Sequence, residues 1–166
     1  EVASNDPQFS TLVTALQRVN FVSTLNGTRP FTVIAPTNAA FTALGVDLST
    51  ISDAALTEIL LYHVFGANLK SSDLQEGQTY ATTAAATGPG NTQLSMLIEK
   101  TGNAVRLNGR VNVTTADIVT KNGVIHVVDA VITPLDVVGH AIANSNFSQL
   151  TGALGSAPGD LVNVLR

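Results

Sequence analysis

The chain has 166 residues, no cysteine and 45% hydrophobic residues, which suffices for the core of one domain without disulfide bonds. Charged residues make up only 12% of it and the net charge is −4. A nucleic-acid-binding protein normally carries a basic patch, so we predict no nucleic-acid partner. No apolar run approaches the roughly 18 residues that cross a bilayer, which predicts no direct membrane insertion by this segment.

The first part of the chain predicts an amphipathic helix followed by a strand. Asp6 can cap the helix, and Pro7 suits its first position. The apolar stripe of this helix consists of Phe9, Leu12, Val13, Leu16 and Val19. Residues 31–35 are then typical of a short buried strand, which Pro36 ends.

A two-turn helix is predicted directly after that strand. Thr37 is the expected cap, and Asn38 is expected to fix the neighbouring loop. Phe41 and Leu44 face inward at helical spacing, and Gly45 supplies the usual C-terminal end.

The clearest helix begins at Ser52 or Asp53 and is predicted to continue to Gly66. Its buried face consists of Leu56, Ile59, Leu60, His63 and Val64. His63 is therefore predicted to pack in the core and to make a hydrogen bond there. Tyr62 is expected at the edge of this face, with its ring buried and its hydroxyl in water.

The second half changes to the periodicity of strands. Apolar residues alternate on both sides of Asn108-Gly109, a strong hairpin signal, and a second turn is predicted at Asn122-Gly123. Residues 124–132 are apolar on both strand faces, which favours the middle of a sheet, whereas 82–93 is typical of a loop. Helices in the first half and hairpins in the second indicate an α+β fold.

A short internal repeat occurs near the end of the chain. "FSTLVTAL" at 9–16 and "FSQLTGAL" at 147–154 share Phe, Ser, Leu, Ala and Leu. We therefore predict a first domain over 1–136. Residues 137–166 are predicted to be a C-terminal helical extension or the truncated start of a second copy.

Four segments together resemble the fasciclin, or FAS1, domain. They are "FTVIAPTNAAF" (31–41), "LLYHV" (60–64), "ADIV" (116–119) and "NGVIHVVDAVITP" (122–134), in the order of that family. The resemblance implies an α+β fold in which a wedge of β-strands forms a twisted sandwich packed with several α-helices.

The resemblance also implies a function. Fasciclin domains occur in tandem in secreted, cell-surface or periplasmic proteins that bind a cell-surface or matrix protein, or a polysaccharide; weak self-association is a further expectation. In animal members the tyrosine-histidine and aspartate-isoleucine motifs are credited with integrin binding. These motifs correspond here to Tyr62, His63, Asp117 and Ile118, which become the predicted partner-binding residues.

Two alternatives to adhesion stay open. The domain could be an architectural spacer of a tandem surface protein, or a small-ligand or glycan-binding module that uses a groove near the helices.

The residues themselves favour structural roles at several of these positions. His126 is predicted to be a neutral core histidine held by hydrogen bonds, Asp117 to cap backbone amides, and Ile118 to pack in the core. The histidines His63, His126 and His140 lack metal-ligand spacing, and the chain has no recognisable nucleophile motif. We therefore predict no enzyme activity, no metal and no cofactor.

Overall fold

The computed structural model describes residues 6–25, 27, 30–45, 48 and 50–156. The helices are α1 (Ser10–Arg18), α2 (Phe21–Leu25), α3 (Asn38–Leu44), α4 (Asp53–Tyr62), α5 (Val137–Ala143) and α6 (Ser148–Ser156). The strands are β1 (Phe31–Pro36), β2 (Val64–Phe65), β3 (Gly77–Thr82), β4 (Ser95–Thr101), β5 (Ala104–Leu107), β6 (Val111–Thr120) and β7 (Gly123–Val128). In these described ranges, every helix is too short or too polar to cross a membrane.

The seven strands form one mixed sheet in the order β2-β1-β7-β6-β5-β4-β3. β1 and β7 run parallel, and the other paired strands are antiparallel. β7 lies between β1 and β6, so the predicted central position of this strand is confirmed. The helices and the sheet together confirm the α+β class.

The sheet curls, because side chains from distant strands meet in one cluster. Ile34 of β1 and Met96 of β4 share this cluster although three strands separate β1 from β4 in the sheet. The buried members of this sheet core are Ile34, Tyr62, Phe65, Ala85, Met96, Ile98, Val105, Leu107, Val111, Val128 and Ile132.

A second cluster, the helix core, joins α1, α3 and α4 to the outer face of the sheet. Its buried members are Phe9, Leu12, Ala15, Ala35, Ala40, Phe41, Leu56, Leu60, Val127 and Val131. Successive residues of a strand point to opposite faces, so Ile34 and Val128 enter the sheet core while Ala35 and Val127 enter the helix core. The chain therefore buries both faces of β1 and β7.

The predicted helix caps are present. The Thr37 hydroxyl accepts a hydrogen bond from the Ala40 amide at 3.3 Å, and the Ser52 hydroxyl accepts one from the Ala55 amide at 3.2 Å. Asn38 fixes the start of α1, as predicted for the loop. Its amide nitrogen donates to the Pro7 carbonyl and to the Ser10 hydroxyl, both at 2.9 Å, and its Oδ1 accepts from the Thr11 amide at 3.0 Å.

The helix predicted to reach Gly66 ends earlier, at Tyr62. Val64 and Phe65 instead form β2, which pairs with Val33 and Thr32 of β1. The His63 carbonyl accepts from the Ile34 amide at 2.8 Å, and this strand pairing replaces the last helical turn. The prediction was wrong there because apolar spacing does not distinguish a buried helix end from a short buried strand.

The strand predicted over 124–132 ends at Val128. The Asp129 carboxylate accepts from the Asn112 amide at 2.9 Å and from the Asn112 side chain at 2.8 Å. Beyond the end of the strand, Val131 and Ile132 stay buried. The apolar pattern of 124–132 therefore predicted the burial of this segment correctly but the length of its strand incorrectly.

The chain beyond residue 136 begins by packing on the domain. Asp136 caps α5, whose Val138 and Ala141 are buried. The buried Asn144 donates from its side chain to the Tyr80 hydroxyl at 3.1 Å. The domain boundary after residue 136 stays a prediction.

Gly123 provides a test of the parallel β1–β7 pairing. A Cβ at this position would lie 1.8 Å from the Phe31 carbonyl oxygen, so Gly123→Ala must displace backbone. We expect a loss of about 1–3 kcal/mol in the free energy of unfolding, measured by urea titration. Gly66→Ala, where a Cβ meets no atom within 4 Å, is the control and should change stability by less than about 0.5 kcal/mol. Equal effects of the two substitutions would contradict the pairing.

Candidate functional site

His63 lies at the C-terminal end of α4 and is only 2% exposed. Its Nδ1 is 2.7 Å from the Ile59 carbonyl oxygen, and its Nε2 accepts from the Ile132 amide at 2.9 Å. A carbonyl only accepts and a backbone amide only donates, so the hydrogen must be on Nδ1. The side chain is therefore a neutral imidazole that ties α4 to the segment after β7.

The environment of His63 disfavours its charged form. Burial lowers its pKa from 6.5 to about 4, and the weaker opposing contribution is the hydrogen bond to Ile59. Protonation would also place a second N–H against the Ile132 amide. The predicted core position and hydrogen bonding of His63 are thus confirmed.

Tyr62 is 0% exposed, so the expectation of a solvated hydroxyl was wrong. Its hydroxyl donates to the Ser95 carbonyl at 3.0 Å and accepts from the Asn108 side chain at 3.1 Å. Burial raises the pKa of this phenol, against a smaller lowering by Asn108. The reason is that the end of α4 is inserted between the two cores: Leu60 enters the helix core and Tyr62 the sheet core.

Asn108 completes a buried network that the hairpin signal did not predict. Its side chain accepts from the Leu97 amide at 3.0 Å and donates to the Thr133 carbonyl at 3.3 Å as well as to Tyr62. Its φ of 50° is the left-handed conformation that the predicted Asn-Gly turn requires. The turn residue therefore also connects β4, α4 and the segment after β7.

Asp117 occupies a bulge in β6, with a φ of 61° and a shift in pairing between Thr115 and Ile118. Its carboxylate accepts from the Ser71 amide at 2.8 Å and from the Ser71 hydroxyl, which confirms its predicted role as a cap. Burial alone would raise the pKa of Asp117, but the Ser71 hydrogen bonds and the neighbouring His126 and Lys70 together lower it.

His126 is buried and Ile118 is half-buried. His126 accepts on Nδ1 from the Asp117 amide at 3.2 Å and donates from Nε2 to the Leu69 carbonyl at 2.8 Å. The predicted neutral core histidine is thus confirmed. Ile118 is half-buried and packs against the helix core, also as predicted.

The tyrosine-histidine motif and the aspartate-isoleucine motif are connected through β1 and do not meet at one surface. The His63 carbonyl accepts from Ile34, which lies opposite His126 in the β1–β7 pairing, and His126 in turn accepts from Asp117. Direct binding of a partner by Tyr62 or His63 would require their helix end to open. The assignment of all four motif residues to partner binding stays a prediction.

Of the two motifs, only the aspartate-isoleucine motif reaches solvent, at the bulge in β6. We define the bulge surface as Lys70, Ser71, Asp117 and Val119. Ser71 and Lys70 lie against Asp117, and Val119, two residues further along β6, is 65% exposed. In the part of the chain that the structure describes, no three His, Cys, Asp or Glu residues are grouped to hold a metal ion.

Fold and site define an α+β module whose two motif pairs hold backbone segments together around a curled sheet. The family model "Fasciclin domain" matches residues 7–134. The chain belongs to the fasciclin domain family.

Relatives and a solved structure agree with this assignment. The chain is 35% identical over 141 residues to protein sll1483 of Synechocystis, covering 81% of this chain and 72% of that protein. It is 33% identical to immunogenic protein MPB70 of Mycobacterium bovis, covering 80% of this chain and 66% of the relative. It is also 33% identical to pig transforming growth factor-beta-induced protein ig-h3, covering 81% of this chain but only 19% of that protein.

The solved structure is a FAS1 domain pair from the insect cell adhesion molecule fasciclin I. It superposes with a TM-score of 0.55 at 19% identity, covering 84% of this chain and 47% of that one. This likeness shows the fold.

The buried neutral His63 predicts how stability depends on pH. Its pKa of about 4 in the folded chain lies below that of an exposed histidine, so the unfolded chain takes up the proton first. The stabilisation is complete above about pH 6.5 and is lost as the pH falls towards 4. Between pH 7 and 4.5 we expect the wild type to lose about 2 kcal/mol more than His63→Gln, measured by urea unfolding.

His63→Gln serves because it removes the titrating group while leaving a side-chain amide that can still accept from Ile132. Asp117 and His140 also have lowered pKa values, so only the difference between the two proteins reports His63. Parallel pH profiles for wild type and variant would contradict the assignment.

Proposed function

We propose that this domain is an extracellular adhesion module that binds a cell-surface or matrix protein, or a polysaccharide, without covalent chemistry. The observation that carries the proposal is the fasciclin match over 7–134, together with a fold shared with a cell adhesion molecule. A secreted, cell-surface or periplasmic location belongs to the same proposal. Each contact would be weak, and several domains in series would give useful avidity.

Within the motifs, burial separates supporting residues from contact residues. Tyr62 and His63 have almost no accessible surface, so in this proposal they hold the shape of the domain. Asp117 and Val119 lie on the bulge surface, where an exposed apolar side chain is two residues from a carboxylate that has Lys70 as a neighbouring charge. An apolar centre with a polar rim is the usual arrangement of a protein contact.

The bulge surface is tested by Val119→Ser in an attachment assay. The immobilised chain is offered to cells, matrix proteins and a glycan array, and dose-dependent, saturable attachment is expected to at least one of them. Because Val119 is exposed, the substitution should change the free energy of unfolding by less than about 0.5 kcal/mol. Attachment should weaken about fivefold or more, as for a residue at the centre of a contact.

Val137→Ser is the matched control, since Val137 is another strongly exposed valine but lies on α5. It should leave attachment unchanged. Asp117→Asn adds a test of charge, because asparagine also tolerates the left-handed backbone at this position. Absence of saturable attachment to every surface would favour the spacer alternative. Equal losses in both valine variants would exclude the bulge surface.

A groove supports the glycan-binding alternative as a second candidate. It has a volume of about 540 Å³ and lies between the Asn108–Arg110 turn and α5. Arg110, Thr133 and Asp136 give it polar walls and Ile142 an apolar one, and its volume falls in the range of small-ligand sites. Glycan binding that is lost in Arg110→Ala but kept in Val119→Ser would select this function.

A further inference from the structure

The curled sheet encloses an apolar cavity between its strands and the segment that follows β2. Its lining includes Ile34 of β1, Ile98 of β4 and Leu107 of β5, which all belong to the sheet core. Residues 66–76, which we call the cover segment, contribute Leu69 and Leu74 to the wall. The cavity volume is about 20 Å³, little more than one water molecule needs.

The polar groups in the cavity wall already have partners. The Thr32 hydroxyl donates to the Ala67 carbonyl at 2.7 Å and accepts from the Leu69 amide at 2.8 Å. Both ring nitrogens of His126 are engaged as well, with the Asp117 amide and the Leu69 carbonyl. A polar ligand would therefore lose its own hydrogen bonds to water without replacement, whereas an alkyl chain has none to lose.

The cavity comes nearest to solvent at the cover segment. Leu69, Leu74 and Val113 are half-buried, whereas every other lining residue is at most 7% exposed. The Leu74 carbonyl accepts a hydrogen bond from Lys100 Nζ at 3.0 Å. Because this bond uses the backbone, the Leu74 side chain can rotate out of the cavity while the cover segment stays attached.

An ammonium group adjoins the same place. Ile98 points into the sheet core, and alternation along β4 puts Lys100, two residues further on, on the same face. Lys100 also lies opposite the lining residue Val105 in the β4–β5 pairing. Within the described ranges, no carboxylate lies within 4 Å of this ammonium. Glu76 of the cover segment instead accepts from the Gly102 amide at 3.1 Å.

We propose that this cavity is a binding site for a free fatty acid, whose alkyl chain takes the place of the Leu74 side chain and whose carboxylate pairs with Lys100. An engineered cavity of about 150 Å³ with a similar apolar lining binds benzene, so removal of one leucine side chain makes space for several carbons. A carboxylate on an ammonium forms a charge-assisted hydrogen bond, which is among the stronger kinds.

The site is separate from those of the proposed function. None of its lining residues belongs to the bulge surface or lines the groove beside α5. Fatty-acid binding therefore does not depend on adhesion, and failure of one proposal leaves the other standing.

Isothermal titration with octanoate, well below its micelle concentration, tests the site. We expect saturable binding of one octanoate per chain. Butanoate should bind at least tenfold more weakly, because four CH₂ groups fewer are buried. Lys100→Met should lower the affinity for octanoate about fivefold but not the affinity for octanol, which has no charge. Lys121→Met removes the same charge from an exposed turn and should change neither affinity.

Leu74→Ala tests the exchange of the side chain for the ligand. It enlarges the cavity beforehand, so octanoate should bind about tenfold more tightly, although truncation of a lining residue usually removes contacts. Leu16→Ala is the matched control, since Leu16 is also half-buried but packs against the helix core. It should leave the affinity unchanged. Unchanged or weaker binding by a folded Leu74→Ala variant would overturn the proposal.

Methyl ¹³C NMR of the wild type locates the ligand even where a variant does not fold. Octanoate should shift the methyl signals of Ile98, Val105 and Leu107 and leave those of Leu12 and Leu56 in the helix core in place. Absence of saturable binding by the wild type would overturn the proposal. So would octanoate binding that Lys100→Met leaves unchanged, or methyl shifts confined to exposed side chains, which would indicate adsorption to the surface.

Discussion

The fold depends on one buried imidazole, whose burial lowers its pKa to about 4 and so keeps it neutral near pH 7. His63 accepts a hydrogen bond from Ile132, donates one to Ile59, and offers its own carbonyl to Ile34 of β1. Three segments far apart in the sequence thereby meet at the end of α4. A buried polar group without partners destabilises a protein, so each of these bonds depends on the others being made. Substitution of His63 therefore disturbs the helix end, the sheet and the segment after β7 together.

This arrangement changes how the tyrosine-histidine motif should be understood. Tyr62 and His63 anchor the end of α4, because the Tyr62 side chain enters the sheet core and the His63 side chain joins α4 to the chain beyond β7. The aspartate-isoleucine motif is tied to β7 by the hydrogen bond from the Asp117 amide to His126. Unlike the first motif, it lies beside accessible surface, at Asp117 and Val119. A substitution in the first motif that abolishes binding can act by unfolding the helix end, whereas Val119 is accessible to a partner without any opening.

Much of the fold could be predicted from short sequence patterns. The caps at Thr37 and Ser52, the turn at Asn108-Gly109 and the core position of His126 follow from spacing and residue chemistry. The position of Tyr62 could not be predicted, because helical spacing assumes one buried side and α4 is buried between two cores. β3 and β4 were not identified, since their short, partly polar runs acquire strand character only from pairing. The contact between Ser71 and Asp117 joins residues 46 positions apart, so no short sequence pattern could predict it.

The most direct test of the role of His63 is the tautomeric state of the two buried histidines, measured by ¹⁵N NMR of their imidazole nitrogens. The structure requires the hydrogen on Nδ1 of His63 and on Nε2 of His126, two opposite tautomers in one protein. We expect both tautomers at neutral pH, with His63 gaining its second proton only near its pKa of about 4. A His63 ring that exchanges between tautomers, or that titrates like an exposed histidine, would contradict the central role given to it here.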